Sequence, residues 1–246
     1  TMSNQRVLII TGGNAAIHPV LNLTLRSKVE YAQKHGYDLI IQRSYPSLKL
    51  KDLTIPADPV CIGFWRVVQC FQYAQQYDTV MWIDADAIIT NENVSIEDMI
   101  SDNTTVFVAS YDWTVPKNTI RANHIFGTGN FIVRATQLTE QFYQLFLELS
   151  SQFVKEGVFI DNEQHVLNTM YAQGDDTLRQ CFKILNHSYL NAVPASIATT
   201  KTWQENPQRL QSLHSPWDPN SFLAHITGCT TEDRVQLLRT EFSKYI

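Results

Sequence analysis

The sequence predicts an α/β protein in which a mostly parallel central sheet carries helices on both faces. Short apolar runs of strand length alternate with longer segments of helical periodicity over the first 110 residues, which is the pattern of strand-helix-strand units. Two of the apolar runs end in small or acidic residues, at Thr11 to Asn14 and at Asp84 to Asp86. Such sheets bind ligands beyond the carboxyl ends of their strands, so these two segments are candidate binding positions.

The first half of the chain begins with a predicted buried strand, RVLII at residues 6–10, that ends in Thr-Gly-Gly. Residues 20–35 then space their apolar side chains as a helix does. Lys34 and His35 followed by Gly36 are typical of a helix C-terminus, because glycine readily adopts the left-handed conformation that ends a helix. The other elements predicted for this half are a strand at 37–41, a helix at 64–76 and a buried strand, TVMWID, at 79–84.

The rest of the chain is predicted to add two strands and a helix to the same domain. The strands are TVFVAS at 105–110 and NFIVRA at 130–135, and residues 200–220, with their prolines and tryptophans, predict an ordered loop. No linker, repeat or low-complexity tract interrupts the chain, so residues 1–246 predict a single domain. We interpret one apolar stripe at helical spacing as core packing and not as a ligand site: Leu138, Phe142, Leu145, Phe146 and Leu149.

The composition excludes several classes of function. The chain of 246 residues is 44% apolar and 17% charged, as in an ordinary globular protein. The net charge is −5 and no lysine or arginine run is present, so nucleic acid is not expected as a partner. No apolar run approaches the roughly 20 residues that span a bilayer, so we expect no membrane span. The four cysteines lack C-x-x-C spacing; we expect them to be reduced, in a soluble cytoplasmic protein without a signal peptide or anchor.

The glycine turn in RVLIITGGNAAIH, residues 6–18, raises the question of which nucleotide it accepts. Short-chain dehydrogenases have a similar turn, but Ala16 and His18 stand where a dinucleotide site needs further glycines. Those enzymes also use a tyrosine and a lysine four residues apart on a helix. Here only Tyr45 and Lys49 have that spacing, and Pro46 would break the helix. A nicotinamide cofactor is therefore disfavoured.

The second candidate position is Asp84-Ala85-Asp86, which ends the apolar strand in VMWIDADAIITN. Residues two apart in an extended chain point to the same side, so both carboxylates are predicted to face one edge of the sheet. Oxygen ligands of this kind bind Mn²⁺ or Mg²⁺, and such ions also bridge the oxygens of a diphosphate. The alternative is that both aspartates merely favour a turn.

Four segments resemble, in order, the motifs of GT-A nucleotide-sugar glycosyltransferases, and most closely those of glycosyltransferase family 34. They are YAQKHGYDLII at 31–41, MWIDADAIITN at 81–91, GTGNFIVRAT at 127–136 and FLAHITGC at 222–229. That family includes Golgi α-galactosyl- and α-mannosyltransferases and the xyloglucan xylosyltransferases. The resemblance implies a GT-A fold, with a Rossmann-like sheet and a smaller acceptor-side subregion. Residues 1–112 would form the nucleotide-binding half and residues 113–246 the acceptor-side half.

By position, the resemblance implies a metal site and a donor site. Asp84, Asp86 and His225 would bind Mn²⁺ or Mg²⁺. Thr11 and Gly12 would lie near the base and ribose of the donor. The other residues expected to contact the donor are Arg66, Asp84, Ala85, Asn130 and Gly228, of which Gly228 would approach the diphosphate.

The resemblance also implies a catalytic pair, Glu163 and Gln164 in FIDNEQHVL. Glu163 would bind hydroxyls of the donor sugar, and the amide of Gln164 would lie under the anomeric carbon. Taken alone, three of the assignments have a simpler alternative, whereas Gln164 has none. His225 also fits a core histidine, Arg66 a partly exposed helix residue, and Glu163 an acid favoured at a helix N-terminus.

Two positions depart from the family pattern. Gly127 stands where the family has an asparagine in its N-x-G-x-F element. Thr230 and Thr231 occupy the region in which a lysine is expected after the histidine. Stabilisation of the phosphates would then fall to Arg66, to Arg234 or to the metal.

The expected function is transfer of a hexosyl or pentosyl group from a UDP-sugar, or less favourably a GDP-sugar, to a glycan hydroxyl. The resemblance implies retention of the anomeric configuration, with Gln164 shielding the reacting carbon. The expected partners are therefore a nucleotide-sugar donor and a glycan acceptor. The alternative is a non-catalytic module that binds nucleotide sugars or glycans on the same fold, because a fold alone does not establish chemistry.

Overall fold

The structure is a computed structural model that describes residues 5–50, 53–55, 62–100, 102–112, 125–155, 162–206, 213 and 216–246. In the first half the elements are β1 (Val7–Gly12), α1 (His18–His35), β2 (Asp38–Gln42), β3 (Leu48–Leu50), β4 (Leu53–Ile55), α2 (Ile62–Tyr73), β5 (Thr79–Asp84), β6 (Ala87–Ile89) and β7 (Phe107–Tyr111). In the second half they are β8 (Phe126–Arg134), α3 (Thr139–Lys155), α4 (Asn162–Gln173), α5 (Asp176–Gln180), β9 (Phe182–Leu185), α6 (His187–Leu190), α7 (Lys201–Gln204), β10 (Leu223–His225) and α8 (Thr231–Glu241).

A six-stranded sheet in the order β2-β1-β5-β8-β7-β9 forms the centre of the molecule. Strand β8 runs antiparallel to both of its neighbours, β5 and β7, while the pairs β1-β2, β1-β5 and β7-β9 are parallel. All strands of this sheet except β8 therefore point the same way, which confirms the predicted mostly parallel sheet. A small antiparallel pair, β6 with β10, lies beyond the end of β5.

Alternation along β1 places its side chains in two separate cores, one on each face of the sheet. Leu8 and Ile10 pack with α2 and α3 on one face, whereas Val7 and Ile9 pack with Tyr31 of α1 on the other. The apolar stripe of α3 is confirmed as core. In the first of these clusters Phe142 and Phe146 are fully buried, and Leu145 and Leu149 are partly buried. Leu138, which directly precedes α3, is also partly buried there.

The elements mostly begin or end within a few residues of their predicted bounds. Helix α1 ends as predicted, because Gly36 has φ 72° and closes the helix in the left-handed conformation. The strand predicted at 130–135 begins four residues earlier, at Phe126. The prediction of a loop at 200–220 is wrong for residues 201–204, which form the short helix α7. Trp203 of this helix is fully buried. Residues 207–212, 214 and 215 of that loop lie outside the described residues.

None of the described helices is both long and apolar enough to cross a bilayer. The expected cytoplasmic location stays a prediction.

Candidate active site

The sheet brings the predicted metal ligands together at the carboxyl end of β5. Asp84 ends β5 beside Gly12 of β1, and the chain turns through Ala85 and Asp86 into β6. Strand β10 pairs with β6 so that His225 lies opposite Ala87. Residues 84–86 form what we call the acidic turn. His225, more than 130 positions later in the sequence, reaches this turn because the two short strands β6 and β10 pair.

Among the described residues, Asp84, Asp86 and His225 offer ligand atoms that all lie within 4.8 Å of one another. His225 Nε2 is 3.3 Å from Asp86 Oδ1 and 3.8 Å from Asp84 Oδ2. Gly129 of β8 lies against this space, since a Cβ there would be 2.5 Å from His225 Cε1 and 2.9 Å from Asp84 Oδ2. Two carboxylates and one imidazole around a space kept clear by glycine fit a divalent cation such as Mn²⁺ or Mg²⁺.

Asp86 is buried but remains ionised. Burial alone would raise the pKa of its carboxyl group, but His225, Arg234 and Lys28 together hold that pKa well below its usual range. Arg234 Nε lies 2.9 Å from Asp86 Oδ2 and also donates to the carbonyl oxygen of Ile226 at 3.0 Å. Asp86 thus directs Oδ1 towards His225, while its Oδ2 is paired with the guanidinium group of Arg234.

Two residues of α1, Thr24 and Lys28, hold the acidic turn through hydrogen bonds to its carbonyl groups. Neither residue is identified as a site residue from the sequence. Lys28 Nζ donates to the carbonyl oxygen of Asp84 and to Thr24 Oγ1, each at 2.9 Å. Thr24 Oγ1 in turn donates to the carbonyl oxygen of Ala85 at 2.7 Å. Lys28 is fully buried, and burial lowers its pKa to about 7 although Asp86 and Asp84 act to raise it. The signal in the sequence was a lysine on the apolar stripe of α1, one turn after a threonine on the same face.

Arg66 of α2 connects Asp84 to the predicted catalytic pair. Its guanidinium donates to Asp84 Oδ1 at 2.5 Å and to Glu163 Oε1 at 2.7 Å. Burial alone would lower its pKa, but Asp84 and Glu163 raise it above its ordinary value. Trp82 Nε1 also donates to Asp84 Oδ1, at 2.7 Å. Arg66 is therefore a helix residue with a 13% exposed side chain whose guanidinium is paired with two carboxylates.

Glu163 and Gln164 begin α4 and face β8. Thr128 Oγ1 donates to Glu163 Oε1 at 2.8 Å, and the backbone N–H of Thr128 donates to Gln164 Oε1 at 3.2 Å. Gln164 Nε2 donates to Asp112 Oδ2 at 3.2 Å. Helix α2 can approach this pair closely because Gly63 has no side chain. A Cβ at that position would lie 1.8 Å from Glu163 Oε2. Thr128 and Asp112, which the sequence reasoning did not single out, thus orient both residues.

Three other predicted donor-site residues, Thr11, Gly12 and Gly228, lie around the same sheet edge. Thr11 is fully buried, and its hydroxyl has no hydrogen-bond partner in the part of the chain that is described. A Cβ at Gly12 would lie 2.1 Å from the carbonyl oxygen of Gln42, so the approach of β2 already requires this glycine. Gly228 has φ 70°, a conformation that favours glycine. Their roles towards a donor stay predictions.

Asn130 supports Asp84, one of the predicted metal ligands, through the backbone. Its Oδ1 accepts from the N–H of Asp84 at 3.0 Å, and its Nδ2 donates to the carbonyl oxygen of Leu190 at 2.9 Å. The side chain is buried. Asn130 therefore fixes where Asp84 stands, and its predicted contact with the donor remains a prediction.

Three solved structures with the same architecture are distant in sequence. A glycosyltransferase involved in the glycosylation of the major capsid of PBCV-1 has a TM-score of 0.62 and 15% identity, with 95% of this chain and 98% of that chain covered. The galactosyltransferase LgtC, in complex with donor and acceptor sugar analogues, has a TM-score of 0.50 and 12% identity, over 97% of this chain and 100% of that chain. Mouse xyloside xylosyltransferase 1 has a TM-score of 0.54 and 10% identity, over 90% of this chain and 96% of that chain. At these identities the likeness shows the fold, which is the predicted GT-A fold.

The sequence itself matches a family model over nearly its whole length. No curated protein matches the chain at a significant level. The model of the galactosyl transferase GMA12/MNN10 family, glycosyltransferase family 34, matches residues 3–236. This match includes Arg66, the acidic turn, the Glu163-Gln164 pair and His225. The chain therefore belongs to the galactosyl transferase GMA12/MNN10 family and is a glycosyltransferase with a GT-A fold.

Proposed function

We propose that this glycosyltransferase is metal-dependent and retaining, and that it transfers a hexosyl or pentosyl group from a UDP-sugar to a glycan hydroxyl. The observation that carries the proposal is the convergence of Asp84, Asp86 and His225 on one space at the carboxyl end of the sheet. Arg66 joins this group directly to Glu163. The ligand set and the pair expected to hold the sugar are therefore neighbours.

Asp84, Asp86 and His225 would hold Mn²⁺ or Mg²⁺. A divalent cation bound there would supply Lewis-acid stabilisation of the charge that develops on the leaving diphosphate. Arg66 adds a fixed positive charge beside Asp84, and we propose that it contacts the donor there. Gly228, at the start of the segment leading to α8, is proposed to let the backbone approach the diphosphate.

Glu163 and Gln164 are proposed to act on the sugar. The carboxyl oxygens of Glu163 are acceptors suited to hydroxyl groups, and Arg66 and Thr128 fix their position. Gln164 is neutral, so its amide oxygen suits an electron-poor anomeric carbon better than it suits nucleophilic attack. We therefore propose that the acceptor attacks from the face on which the diphosphate leaves, which retains the anomeric configuration.

The site draws on both halves proposed for the chain. Arg66 and the acidic turn come from residues 1–112, and the Glu163-Gln164 pair and His225 from residues 113–246. We propose that the first half holds the nucleotide, with Thr11 and Gly12 near the base and ribose, and that the second half shapes the acceptor side. The structural neighbour LgtC was solved with donor and acceptor sugar analogues, which is in keeping with two substrates at one such site.

A donor panel tests this function. The protein is incubated with UDP-glucose, UDP-galactose, UDP-xylose, UDP-N-acetylglucosamine and GDP-mannose, each with Mn²⁺ or with EDTA, and the released nucleotide is measured. We expect slow release of UDP from at least one donor, its loss in EDTA and its recovery when Mn²⁺ is added back. With a simple alcohol added as acceptor, we also expect the glycoside product to keep the anomeric configuration of the donor, as read from its NMR coupling constants.

The other outcomes each contradict a separate part of the proposal. Release that is undiminished in EDTA would rule out metal dependence, and an inverted product would rule out retention. Release of GDP alone would contradict the UDP-sugar donor and indicate a GDP-sugar donor instead. Tight binding of a nucleotide sugar without any release over hours would instead support a non-catalytic binding module.

A further inference from the structure

His225 makes a hydrogen bond on the side of its ring that faces away from the acidic turn. Its Nδ1 lies 2.9 Å from Oδ1 of Asn191, which follows α6 and is buried. The amide nitrogen of Asn191 lies 3.2 Å from the carbonyl oxygen of Tyr111 in β7. Asn191 therefore connects a backbone carbonyl to the imidazole.

These two contacts determine which ring nitrogen carries the proton. A backbone carbonyl can only accept, so the amide nitrogen of Asn191 must be the group that faces Tyr111. The amide oxygen then faces His225, and because it also can only accept, His225 Nδ1 must be the donor. The neutral imidazole consequently has its lone pair on Nε2.

That lone pair points towards the carboxylates of the acidic turn. His225 Nε2 is 3.3 Å from Asp86 Oδ1 and 3.8 Å from Asp84 Oδ2. In the opposite tautomer, Nε2–H would donate to Asp86 and no lone pair would be available for a cation. The hydrogen bond from Asn191 thus decides whether His225 can be a metal ligand.

The position of Asn191 is fixed by its surroundings. Gly127 of β8 leaves room for the amide, since a Cβ at that position would lie 3.0 Å from Asn191 Nδ2. The residue before it, Leu190, is anchored to β7 because its N–H donates to Ser110 Oγ at 3.0 Å. The departure from the family pattern at Gly127 therefore leaves space that the amide of Asn191 occupies.

We propose that Asn191 is a positioning residue that holds His225 in the Nδ1–H tautomer and so keeps Nε2 available for a divalent cation. This inference rests on the proposed metal site. Outer partners of metal-bound histidines typically contribute about 10- to 100-fold to metal affinity, so the effect of losing Asn191 is measurable.

The test compares two variants of Asn191 with one control. Asn191→Leu removes the acceptor, whereas Asn191→Asp keeps an oxygen that accepts from Nδ1–H. Both lose the hydrogen bond to Tyr111. The control is Ser110→Ala, which removes the hydroxyl that bonds to Leu190 and to Asn186 and loosens the same α6-β7 junction without contacting His225. Mn²⁺ affinity is measured from the EPR signal of the free ion, at constant pH and without a nucleotide.

We expect Asn191→Leu to bind Mn²⁺ about 10- to 100-fold more weakly. Asn191→Asp is expected to bind Mn²⁺ at least as well as the wild type. Ser110→Ala, which keeps the amide that accepts from Nδ1–H, is expected to lose far less affinity than Asn191→Leu. Thermal melting should show all three variants destabilised, so that stability and metal affinity separate. Long-range ¹⁵N–¹H NMR of the metal-free wild type at alkaline pH should show the imidazole proton of His225 on Nδ1.

Equal Mn²⁺ affinity in the wild type and Asn191→Leu would overturn the inference and leave the metal site standing. So would equal losses in both variants of Asn191, a loss in Ser110→Ala as large as in Asn191→Leu, or a wild-type proton on Nε2. Absence of any Mn²⁺ binding by the wild type would overturn the proposed metal site together with the inference.

Discussion

Replacing Asp84 by asparagine is expected to lower kcat by about 1,000-fold or more, equivalent to about 4 kcal/mol of transition-state stabilisation. The change keeps the shape of the side chain but removes the charge that pairs with Arg66 and faces His225. It weakens both the proposed metal site and the ion pair that connects it to Glu163. Asp86→Asn is expected to have a similar effect, because Asp86 is the other carboxylate of the site.

The measurement is turnover of the donor that the panel identifies, at saturating Mn²⁺, together with a thermal melt of each variant. Asp38→Asn is a matched control, since Asp38 is exposed on β2 and its carboxylate accepts from the hydroxyl of Tyr77 at 2.8 Å. We expect the control to keep its activity within about twofold, as is usual for a surface substitution. Near-wild-type turnover in a folded Asp84→Asn variant would contradict the metal assignment.

Gly129→Ala is expected to reduce Mn²⁺ affinity and turnover by about 100-fold or more, a loss of roughly 3 kcal/mol. The added methyl group would lie 2.5 Å from His225 Cε1 and 2.9 Å from Asp84 Oδ2. Neither side chain can easily move away, because Asn191 holds His225 and Arg66 holds Asp84. One methyl group therefore displaces ligands of the site or occupies the space between them.

Gly36→Ala is the matched control for this change. Gly36 has φ 72° and nothing lies within 4 Å of the position of its Cβ. Alanine there should destabilise the protein by about 1 kcal/mol through the left-handed backbone alone and leave Mn²⁺ affinity unchanged. If Gly129→Ala lowers the melting temperature but binds Mn²⁺ as the wild type does, Gly129 is not part of the metal site.

The acidic turn could be predicted from the sequence because all of its signals are local. An apolar run of strand length, followed by two aspartates one residue apart, places both carboxylates at the end of a buried strand. His225 was different, because its approach to the turn depends on the pairing of β6 with β10. Only the resemblance to family 34 linked it to Asp84 and Asp86.

The start and direction of β8 could not be predicted from its residues. Gly127 and Gly129 weaken the expectation of a strand, since glycine packs no side chain. In the structure these glycines lie within the strand, where side chains would strike Asn191 and His225. An apolar run also carries no information on whether its partners run parallel or antiparallel. The two glycines that weaken the prediction of this strand are thus the residues that leave room for the candidate site.

The support beneath the turn could not be predicted either, because it depends on how α1 packs. In the sequence, Thr24 and Lys28 look like ordinary residues of an amphipathic helix. In the structure they lie within hydrogen-bond distance of the carbonyl groups of Asp84 and Ala85. A buried lysine requires compensation by hydrogen bonds and opposite charge, so its position on the apolar stripe of α1 was the available signal. What it supports could be known only from the tertiary structure.

Asp84, Asp86 and His225 are proposed to hold a divalent cation that also binds the diphosphate of the donor. A titration with Mn²⁺, followed by EPR with and without UDP, tests it most directly. We expect one Mn²⁺ per chain, bound more tightly when UDP is present, and by linkage UDP bound more tightly by the same factor when Mn²⁺ is present. The double variant Asp84→Asn with Asp86→Asn should lose both effects while remaining folded. Mn²⁺ binding that is unaffected by UDP, or that persists unchanged in the double variant, would contradict the claim.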